Sequence, residues 1–406
     1  MFIKRHIKNA FLEYAKWNSV VIVTGARQVG KTTLIENLLP DIYKVDLDDR
    51  LALQMAKAET SAFMELNPPP VFIDEVQYAP EIFHDIKIAV DKSKKKGQYF
   101  LSGSQPFRLM KNVSESLAGR AGILTMPGLS LREINADSWL KPFIPTTAYL
   151  LERRESRIET SIKTLWDIIW RGSYPELYEK SEYPWDVFYG NYLKTYIERD
   201  VRELAQVGDE LQFIQFMRIM ATRTGQLLNL NNVAKEIQVS QPTAKRWLSI
   251  LQSSGIVYLL PPYHNNFGKR IVKSPKLYFA DTGLCSYLAK WNSPESLMTG
   301  AMSGAYFETF VINEIYKSYV NCGKEADMYF FRDSNGAEID LLIYENGSLY
   351  PIEIKETGQP KPSMIKAFDL LDNNDNFQRG DGGVICTANN LLPLKGSDKI
   401  IPLWAV

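Results

Sequence analysis

The sequence predicts an α/β protein in which a parallel sheet with helices on both faces is followed by a helical region and a smaller α/β domain. In residues 1–135, short apolar runs alternate with segments of helical periodicity, which is typical of a parallel sheet covered by helices. In residues 328–355, three apolar runs separated by short polar turns predict consecutive strands. A chain of 406 residues is long enough for two or three domains.

The composition is that of an ordinary soluble globular protein, with 45% hydrophobic and 23% charged residues. Lys plus Arg and Asp plus Glu number 47 each, so a nucleic-acid surface has to be a local patch. The three cysteines lack CxxC spacing, which argues against a zinc site and favours a reducing compartment. No apolar run approaches the roughly 18 to 20 residues that span a bilayer. We therefore expect a cytoplasmic protein with no membrane partner.

A glycine-bearing loop follows the first predicted strand, VVIV, and leads into a helix. The loop fits the pattern GxxxxGK[ST] from Gly25 to Thr32, in the strand–loop–helix context of a P-loop NTPase. Its backbone amides are expected to bind phosphate, Lys31 to bind the β- and γ-phosphates, and Thr32 to bind Mg²⁺. The predicted ATP-binding residues are Gly25, Ala26, Arg27, Gln28, Val29, Gly30, Lys31, Thr32 and Thr33. The alternative is a chance glycine-rich turn.

Acidic and hydroxyl side chains end the next two predicted strands. Asp74 and Glu75 follow the apolar run VFI. Downstream of a P-loop, Asp74 is expected to hold Mg²⁺ and Glu75 to activate the attacking water as a general base. Ser104, at the end of YFLSGS, is expected to sense the γ-phosphate in preference to Ser102. The alternatives are solvated acids at a strand end and a turn hydroxyl that caps the next segment.

Arg120 follows a glycine beyond this sensor strand, where P-loop ATPases often place an arginine that reaches phosphate. We expect Arg120 to stabilise the transition state, either within its own chain or from a neighbouring subunit of a homo-oligomer. The alternative is an ordinary surface arginine.

Residues 226–283 carry a helix-turn-helix pattern with a wing-like continuation. A helix at about 231–237 precedes a second helix, which Ser240 caps, with Pro242 in its first turn and Gly255 at its end. The hairpin that follows predicts a winged-helix-like domain that contacts DNA. The candidate DNA-contacting residues are Gln241, Thr243, Lys245, Arg246, Lys269, Arg270 and Lys273. The alternative is a packing or partner-binding module.

The C-terminal region combines a helix with a hairpin of acidic strands. The helix SGAYFETFVINEIYKSY is predicted to be amphipathic and carries Glu308. Alternation in the strands EIDLLIY and PIEIK places Asp340 near Glu353, with Lys355 on the same face as Glu353. The three acids are expected to bind Mg²⁺, and Lys355 to stabilise charge on a phosphate. The alternatives are an ion-paired sheet and a nuclease scaffold that no longer cleaves.

In this order, the segments resemble a widespread family of bacterial and archaeal AAA+-like P-loop ATPases. TGARQVGKTTL, VFIDEVQ, FLSGSQ and LAGR are similar to its ATPase signatures. GSYPE, YLKTYIERDV, PKLYFADTGL, FETFV and GAEIDLLI…PIEIK are similar to its C-terminal ones. The resemblance covers nearly the full length and implies an ATPase with a C-terminal domain of PD-(D/E)xK nuclease-like fold. Together with the patterns above, we expect an ATPase domain at 1–135, a helical linker at 136–225, a winged-helix-like domain at 226–283 and the nuclease-like domain at 284–406. In that last domain, EID replaces the usual proline–aspartate pair.

Two functions fit these motifs. The first is a Mg²⁺-dependent ATPase whose cycle drives a C-terminal DNA-handling module, with phosphodiester cleavage if the acidic strands are active. The second is a nucleotide-switched interaction protein whose nuclease-like domain is catalytically inactive. Metal-dependent cleavage of DNA discriminates between them.

Overall fold

The computed structural model describes residues 3–104, 116–196, 210–263, 274–333, 336–372 and 377–406. It confirms the mixed α/β class and the parallel first sheet. The strands of this sheet are β1 (Val20–Thr24), β2 (Tyr43–Asp46), β3 (Val71–Asp74), β4 (Tyr99–Gly103) and β5 (Ala121–Thr125). They lie in the order β2-β3-β4-β1-β5, and every neighbouring pair is parallel. The strand that leads into the P-loop, β1, therefore lies inside the sheet between β4 and β5, and β4 separates it from β3.

Helices cover both faces of this sheet, as predicted. Because side chains alternate along a strand, Val21 and Val23 pack against one group of helices, and Val20 and Ile22 against the other. On the first face lie α1 (Lys8–Trp17) and α2 (Lys31–Leu38), and on the second α3 (Arg50–Ala58), α4 (Thr60–Leu66) and α5 (Ile82–Ser93). A short 3₁₀ turn, Val76–Tyr78, follows β3.

A run of helices connects this sheet to the rest of the chain. These are α6 (Leu131–Ile134), α7 (Thr147–Glu155), α8 (Ile162–Arg171), α9 (Glu176–Glu179), α10 (Trp185–Tyr196) and α11 (Glu210–Ala221). The turn predicted at 172–175 lies between α8 and α9. The carboxylate of Asp281 fixes it by accepting hydrogen bonds from the backbone N–H of Ser173 at 2.6 Å and from its hydroxyl at 2.8 Å. Across the described residues, no helix is long and apolar enough to cross a membrane.

Residues 226–263 and 274–279 contain two helices and three strands, in the region where the helix-turn-helix and the strand hairpin were predicted. The helices are α12 (Leu230–Glu236) and α13 (Gln241–Ser253), and the strands, in the sheet order β6-β8-β7, are β6 (Gln226–Leu227), β8 (Lys276–Phe279) and β7 (Val257–Leu260). The Ser240 side chain caps α13 by accepting from the backbone N–H of Thr243, as expected. Gly255, with a φ of +71°, ends the helical segment and turns the chain towards β7. Strands β7 and β8 are called the hairpin below.

The C-terminal region contains a mixed sheet in the order β14-β15-β13-β11-β10-β9, with β12 beside β11. Its strands are β9 (Met328–Arg332), β10 (Glu338–Glu345), β11 (Ser348–Lys355), β12 (Gln378–Arg379), β13 (Gly383–Cys386), β14 (Leu392–Lys395) and β15 (Asp398–Pro402). Its helices are α14 (Thr282–Ala289), α15 (Pro294–Met298) and α16 (Ser303–Val320), with 3₁₀ segments at Pro362–Leu371 and Leu403–Ala405. The predicted turn at 345–347 is present, with positive φ at Asn346 and Gly347. Ser334, in the other predicted turn, lies outside the described residues.

The prediction that α16 is amphipathic is wrong. From Tyr306 to Val320 every residue of this helix is buried or half-buried, because it has neighbours on all sides. Glu314 accepts a hydrogen bond from the backbone N–H of Leu131 at 2.6 Å, and the Ser318 hydroxyl accepts one from Phe143 at 2.9 Å. Polar side chains of α16 therefore bind neighbouring parts of the protein.

Replacing Glu314 with alanine is expected to destabilise the protein by about 3–5 kcal/mol, because it leaves the buried ammonium of Lys317 without its carboxylate. In the wild type, Lys317 Nζ lies 2.8 Å from Glu314 Oε1. Urea unfolding followed by tryptophan fluorescence measures the change. As a control, Glu155→Ala, whose side chain is 78% exposed, should change the free energy of unfolding by less than about 0.5 kcal/mol. Equal stability of the two variants would contradict the prediction.

Candidate functional site

The P-loop connects the end of β1 to the start of α2 and depends on its two glycines. Gly25 has a φ of +151°, and a Cβ at this position would lie 2.2 Å from the Met126 carbonyl oxygen. Gly30 has a φ of +94° and occupies the N-cap of α2. Both conformations favour glycine. The loop therefore ends at a helix N-terminus, which attracts anions.

Lys31 is buried, with 7% of its surface exposed, and its ammonium lies inside the loop. Nζ donates hydrogen bonds to the carbonyl oxygens of Gly25 at 3.0 Å and Ala26 at 2.8 Å. When a phosphate reaches this ammonium, its charged oxygens replace the neutral carbonyl oxygens as hydrogen-bond acceptors, and hydrogen bonds to charged acceptors are stronger. The geometry suits a lysine that is held in place until an anion enters.

Asp74 is the last residue of β3 and lies beside the hydroxyl of Thr32, which was predicted to bind Mg²⁺. Thr32 Oγ1 donates to Asp74 Oδ2 at 2.8 Å, and Ser102 donates to the other carboxylate oxygen. Lys44 Nζ lies 3.6 Å from Oδ2. Hydroxyl and carboxylate oxygens are ligands that Mg²⁺ prefers, so Thr32 and Asp74 fit a Mg²⁺ site. The contacts from Lys44 and Ser102 were not predicted, because they depend on β2 and β4 flanking β3.

Glu75 lies in the left-handed region, with a φ of +51°, which is unusual for a residue with a side chain. Its Oε2 atom accepts hydrogen bonds from Ser104 at 3.2 Å and from Gln77 Nε2 at 2.5 Å. Among the described residues, Gln77 Oε1 is buried and has no hydrogen-bond partner. The structure therefore brings Glu75 and Ser104 together and adds Gln77. Gln77 was missed, although it stands two positions after Glu75 in VFIDEVQ.

Arg120 lies at the amino-terminal end of the parallel strands, whereas the P-loop lies at their carboxyl-terminal end. It immediately precedes β5, and its carbonyl accepts a hydrogen bond from Val20, the first residue of β1. The P-loop begins after Thr24, which is roughly 16 Å farther along the strand at about 3.3 Å per residue. The guanidinium instead pairs with Asp91 on α5, with Nε 2.6 Å from Oδ1. In this conformation the Arg120 side chain is thus directed to α5 and not to the P-loop.

A cavity of about 420 Å³ lies beside the P-loop, between β7, β9 and α16. Its walls include Ala26 and Val29 from the loop, Leu259 from β7 and Tyr316 from α16. A Cβ added to Gly255 would lie 3.7 Å from the backbone nitrogen of Ala26. The P-loop is therefore in close proximity to the end of the helix-turn-helix. Nothing in the sequence signals this proximity, because the segments are more than two hundred residues apart.

In the C-terminal sheet, Asp340 and Glu353 are neighbours as predicted. Leu341 of β10 pairs with Ile352 of β11, and the next residue on each of these antiparallel strands is one of the two acids, so that Asp340 and Glu353 lie opposite each other. Lys355 Nζ lies 2.9 Å from Asp340 Oδ2 and 2.6 Å from Glu353 Oε1. Burial, with Asp340 nearby, raises the pKa of Glu353 to about 8. Glu353 Oε2 is buried with no hydrogen-bond partner among the described residues.

Glu308 lies near this pair but contacts a lysine that was not predicted. Lys276 Nζ, from β8, lies 3.1 Å from Glu308 Oε1, 2.6 Å from Glu338 Oε1 and 3.7 Å from Asp340 Oδ1. The Tyr278 hydroxyl also donates to Glu308 at 2.6 Å. Burial, followed by the proximity of Asp340, raises the pKa of Glu308. The acid cluster is defined as Glu308, Glu338, Asp340 and Glu353.

The acid cluster in this conformation does not fit the predicted Mg²⁺ site. The Lys276 ammonium takes up the space between Glu308 and Asp340, two of the three expected ligands. Across the part of the chain that the structure describes, no three His, Cys, Asp or Glu side chains are grouped so that they could hold a metal ion. The predicted acids are therefore close to one another, but in this conformation they form ion pairs with the ammonium groups of Lys276 and Lys355.

The outer surface of α13 carries the candidate DNA-contacting side chains. Ala244 and Trp247 pack inwards and fix which side of the helix faces solvent. The candidates at exposed or half-exposed positions are Gln241, Thr243, Lys245 and Arg246. The remaining candidates, Lys269, Arg270 and Lys273, lie outside the described residues.

The parallel sheet, the P-loop and the acids at the end of β3 define a P-loop ATPase-like protein. Residues 17–135 match the family described as AAA domain. Residues 162–295 and 303–406 match two families described as domains of unknown function, DUF8612 and DUF4143. The family matches therefore support an AAA+-like ATPase in the first third of the chain.

Two curated relatives extend over most of the protein. The uncharacterized proteins Rv2008c of Mycobacterium tuberculosis and Mb2031c of Mycobacterium bovis are each 28% identical over 381 residues, covering 92% of this chain and 78% of theirs. Among solved structures, the Walker-type ATPase PABY2304 of Pyrococcus abyssi is 14% identical, with a TM-score of 0.45 over 71% of this chain and 96% of that one. The RuvB Holliday junction branch migration motor of Thermotoga maritima is 16% identical, with a TM-score of 0.29 over 62% and 86%.

Proposed function

We propose that this protein binds and hydrolyses ATP with Mg²⁺, and that its nucleotide state changes the position of the hairpin and the C-terminal sheet. The observation that carries the proposal is the connected set at the ends of β1, β3 and β4. Lys31 lies within the P-loop, Thr32 contacts Asp74, and Ser104 contacts Glu75. These are the side chains that phosphoryl transfer to water requires.

In the proposed mechanism, the loop amides and Lys31 bind the β- and γ-phosphates and hold the γ-phosphate in line with a water molecule. Thr32 and Asp74 would hold Mg²⁺, which neutralises phosphate charge. Glu75 accepts a proton from the attacking water, and Gln77 Oε1 accepts a hydrogen bond from that water. Ser104 fixes the Glu75 carboxylate and reports loss of the γ-phosphate. Arg120, if it acts on phosphate, does so from a neighbouring subunit of a homo-oligomer.

Coupling to the rest of the chain is supported by the cavity beside the P-loop. Ala26 approaches Gly255, and β7 lines the same cavity as the loop. Bound nucleotide would draw the Lys31 ammonium away from the carbonyl oxygens of Gly25 and Ala26. The backbone of the P-loop would then change its conformation at Ala26, the residue that lies next to Gly255. The proposed consequence is a movement of the hairpin at each turnover.

Two variants separate nucleotide binding from chemistry. Lys31→Ala is expected to abolish binding of a fluorescent ATP analogue, because the ammonium is the main cation of the loop. Glu75→Gln is expected to bind the analogue normally and to lower kcat by about 10²- to 10⁴-fold, the usual contribution of a general base. Phosphate release measures turnover.

The exposed residues Lys57 and Glu65 provide matched controls. Lys57→Ala and Glu65→Gln should bind and hydrolyse ATP like the wild type. Normal hydrolysis by both Lys31→Ala and Glu75→Gln would show that the ATPase site is assigned wrongly.

For the C-terminal sheet, two functions remain candidates. The meeting of Asp340, Glu353 and Lys355 supports a DNA-handling module that cleaves phosphodiesters with Mg²⁺. The ion pairs of Lys276 support the second candidate, in which an inactive nuclease-like domain and the exposed face of α13 bind a partner in a nucleotide-dependent way.

Cleavage assays decide between these candidates. Branched, single-stranded and duplex DNA are incubated with Mg²⁺ or Mn²⁺ and either the wild type or Asp340→Ala. Nuclease function predicts products with the wild type and a loss of at least about tenfold in Asp340→Ala, because the variant removes a metal ligand. Absence of cleavage on every substrate, with both metals, would eliminate the nuclease candidate.

A further inference from the structure

Lys276 is a buried lysine at the junction of the hairpin and the acid cluster. Only 4% of the residue is exposed. Burying an ammonium is costly unless carboxylates compensate it. Here Glu308 from α16, with Glu338 and Asp340 from β10, compensates it at 2.6–3.7 Å. A strand of the hairpin thus delivers a cation into the C-terminal sheet.

The contacts of Lys276 overlap with those that a metal ion needs. Mg²⁺ and Mn²⁺ bind carboxylate oxygens at short distances, roughly 2.0–2.2 Å, and take several at once. An ammonium that already lies between Glu308 and Asp340 blocks that position and repels a divalent cation. A second lysine, Lys355, pairs with Asp340 and Glu353 from the other side. Glu353 therefore contributes a buried carboxyl beside Asp340, with one oxygen paired to Lys355.

We infer that Lys276 is the resident cation of the acid cluster and that the cluster binds a divalent metal ion only when Lys276 withdraws. The protein therefore carries a latent metal site that the hairpin closes. This inference does not depend on ATP hydrolysis, since it concerns contacts between β8, α16 and β10 alone.

The path of the chain provides a way for Lys276 to withdraw. Lys276 pairs in register with Leu260 at the end of β7. Strand β7 lines the cavity that the P-loop also lines. A movement of the hairpin away from α16 carries Lys276 out of the acid cluster and leaves Glu308, Glu338 and Asp340 without their shared cation.

The test is binding of Mn²⁺ to the full chain without nucleotide, followed by electron paramagnetic resonance and by the melting temperature. Lys276→Met removes the ammonium and keeps the length of the side chain. We expect it to melt at a lower temperature than the wild type, to regain stability when Mn²⁺ is added, and to bind Mn²⁺ at least about tenfold more tightly. Asp340→Asn in the Lys276→Met background should abolish the gain. Lys324→Met, at an exposed position, should behave like the wild type.

Equal Mn²⁺ binding by Lys276→Met and the wild type overturns the inference, whether both bind or neither does. If Lys276→Met does not fold, Lys276→Gln replaces it, and the wild type is compared directly with Asp340→Asn. Nucleotide-independent Mn²⁺ binding by the wild type that Asp340→Asn removes also overturns the inference. Stabilisation of Lys276→Gln by Mn²⁺, with no stabilisation of the wild type, upholds it. None of these outcomes bears on the ATPase variants.

Discussion

The buried helix α16 is the constraint on which the arrangement of the other parts depends. Its Glu314 binds the backbone of Leu131 just beyond the ATPase-like sheet. Its Asn313 accepts from Tyr258 of β7 at 2.9 Å, and its Glu308 pairs with Lys276 of β8. Since buried polar groups are costly to leave unpaired, each of these contacts fixes a neighbour relative to the helix. The ATPase-like sheet, the hairpin and the C-terminal sheet are thus held by one element.

The proposed coupling between the nucleotide site and the acid cluster runs through the hairpin. The hairpin lies between them: Leu259 lines the cavity beside the P-loop, and Lys276 pairs with Glu308 of the acid cluster. An element packed in this way has few intermediate positions, because close-packed contacts break together rather than stretch. In the proposed coupling, a movement of the hairpin away from α16 has to break the ion pairs of Lys276 with Glu308, Glu338 and Asp340.

Local motifs identify the candidate nucleotide-site residues in the sequence, and their roles stay predictions. Lys31, Thr32, Asp74 and Glu75 follow strands whose apolar runs are clear, and parallel strands bring their carboxyl ends to one edge. The proximity of Asp340 and Glu353 on β10 and β11 could also be predicted from the sequence, because an Asn-Gly turn and strand alternation fix the pairing. The contact of Lys276 with the acid cluster could not be predicted, because Lys276 reaches it from β8, a strand of a different sheet. The burial of α16 was missed because its polar side chains resemble a solvent-facing side when their partners are unknown.

Hydrogen exchange of the Glu75→Gln protein, with and without Mg²⁺-ATP, measures whether bound nucleotide moves the hairpin. If bound nucleotide moves the hairpin relative to α16, exchange becomes slower in the P-loop and changes in β7, β8 and the first turns of α16. Changes confined to the P-loop and its flanking strands, with the hairpin and α16 unaffected at saturating nucleotide, would contradict it.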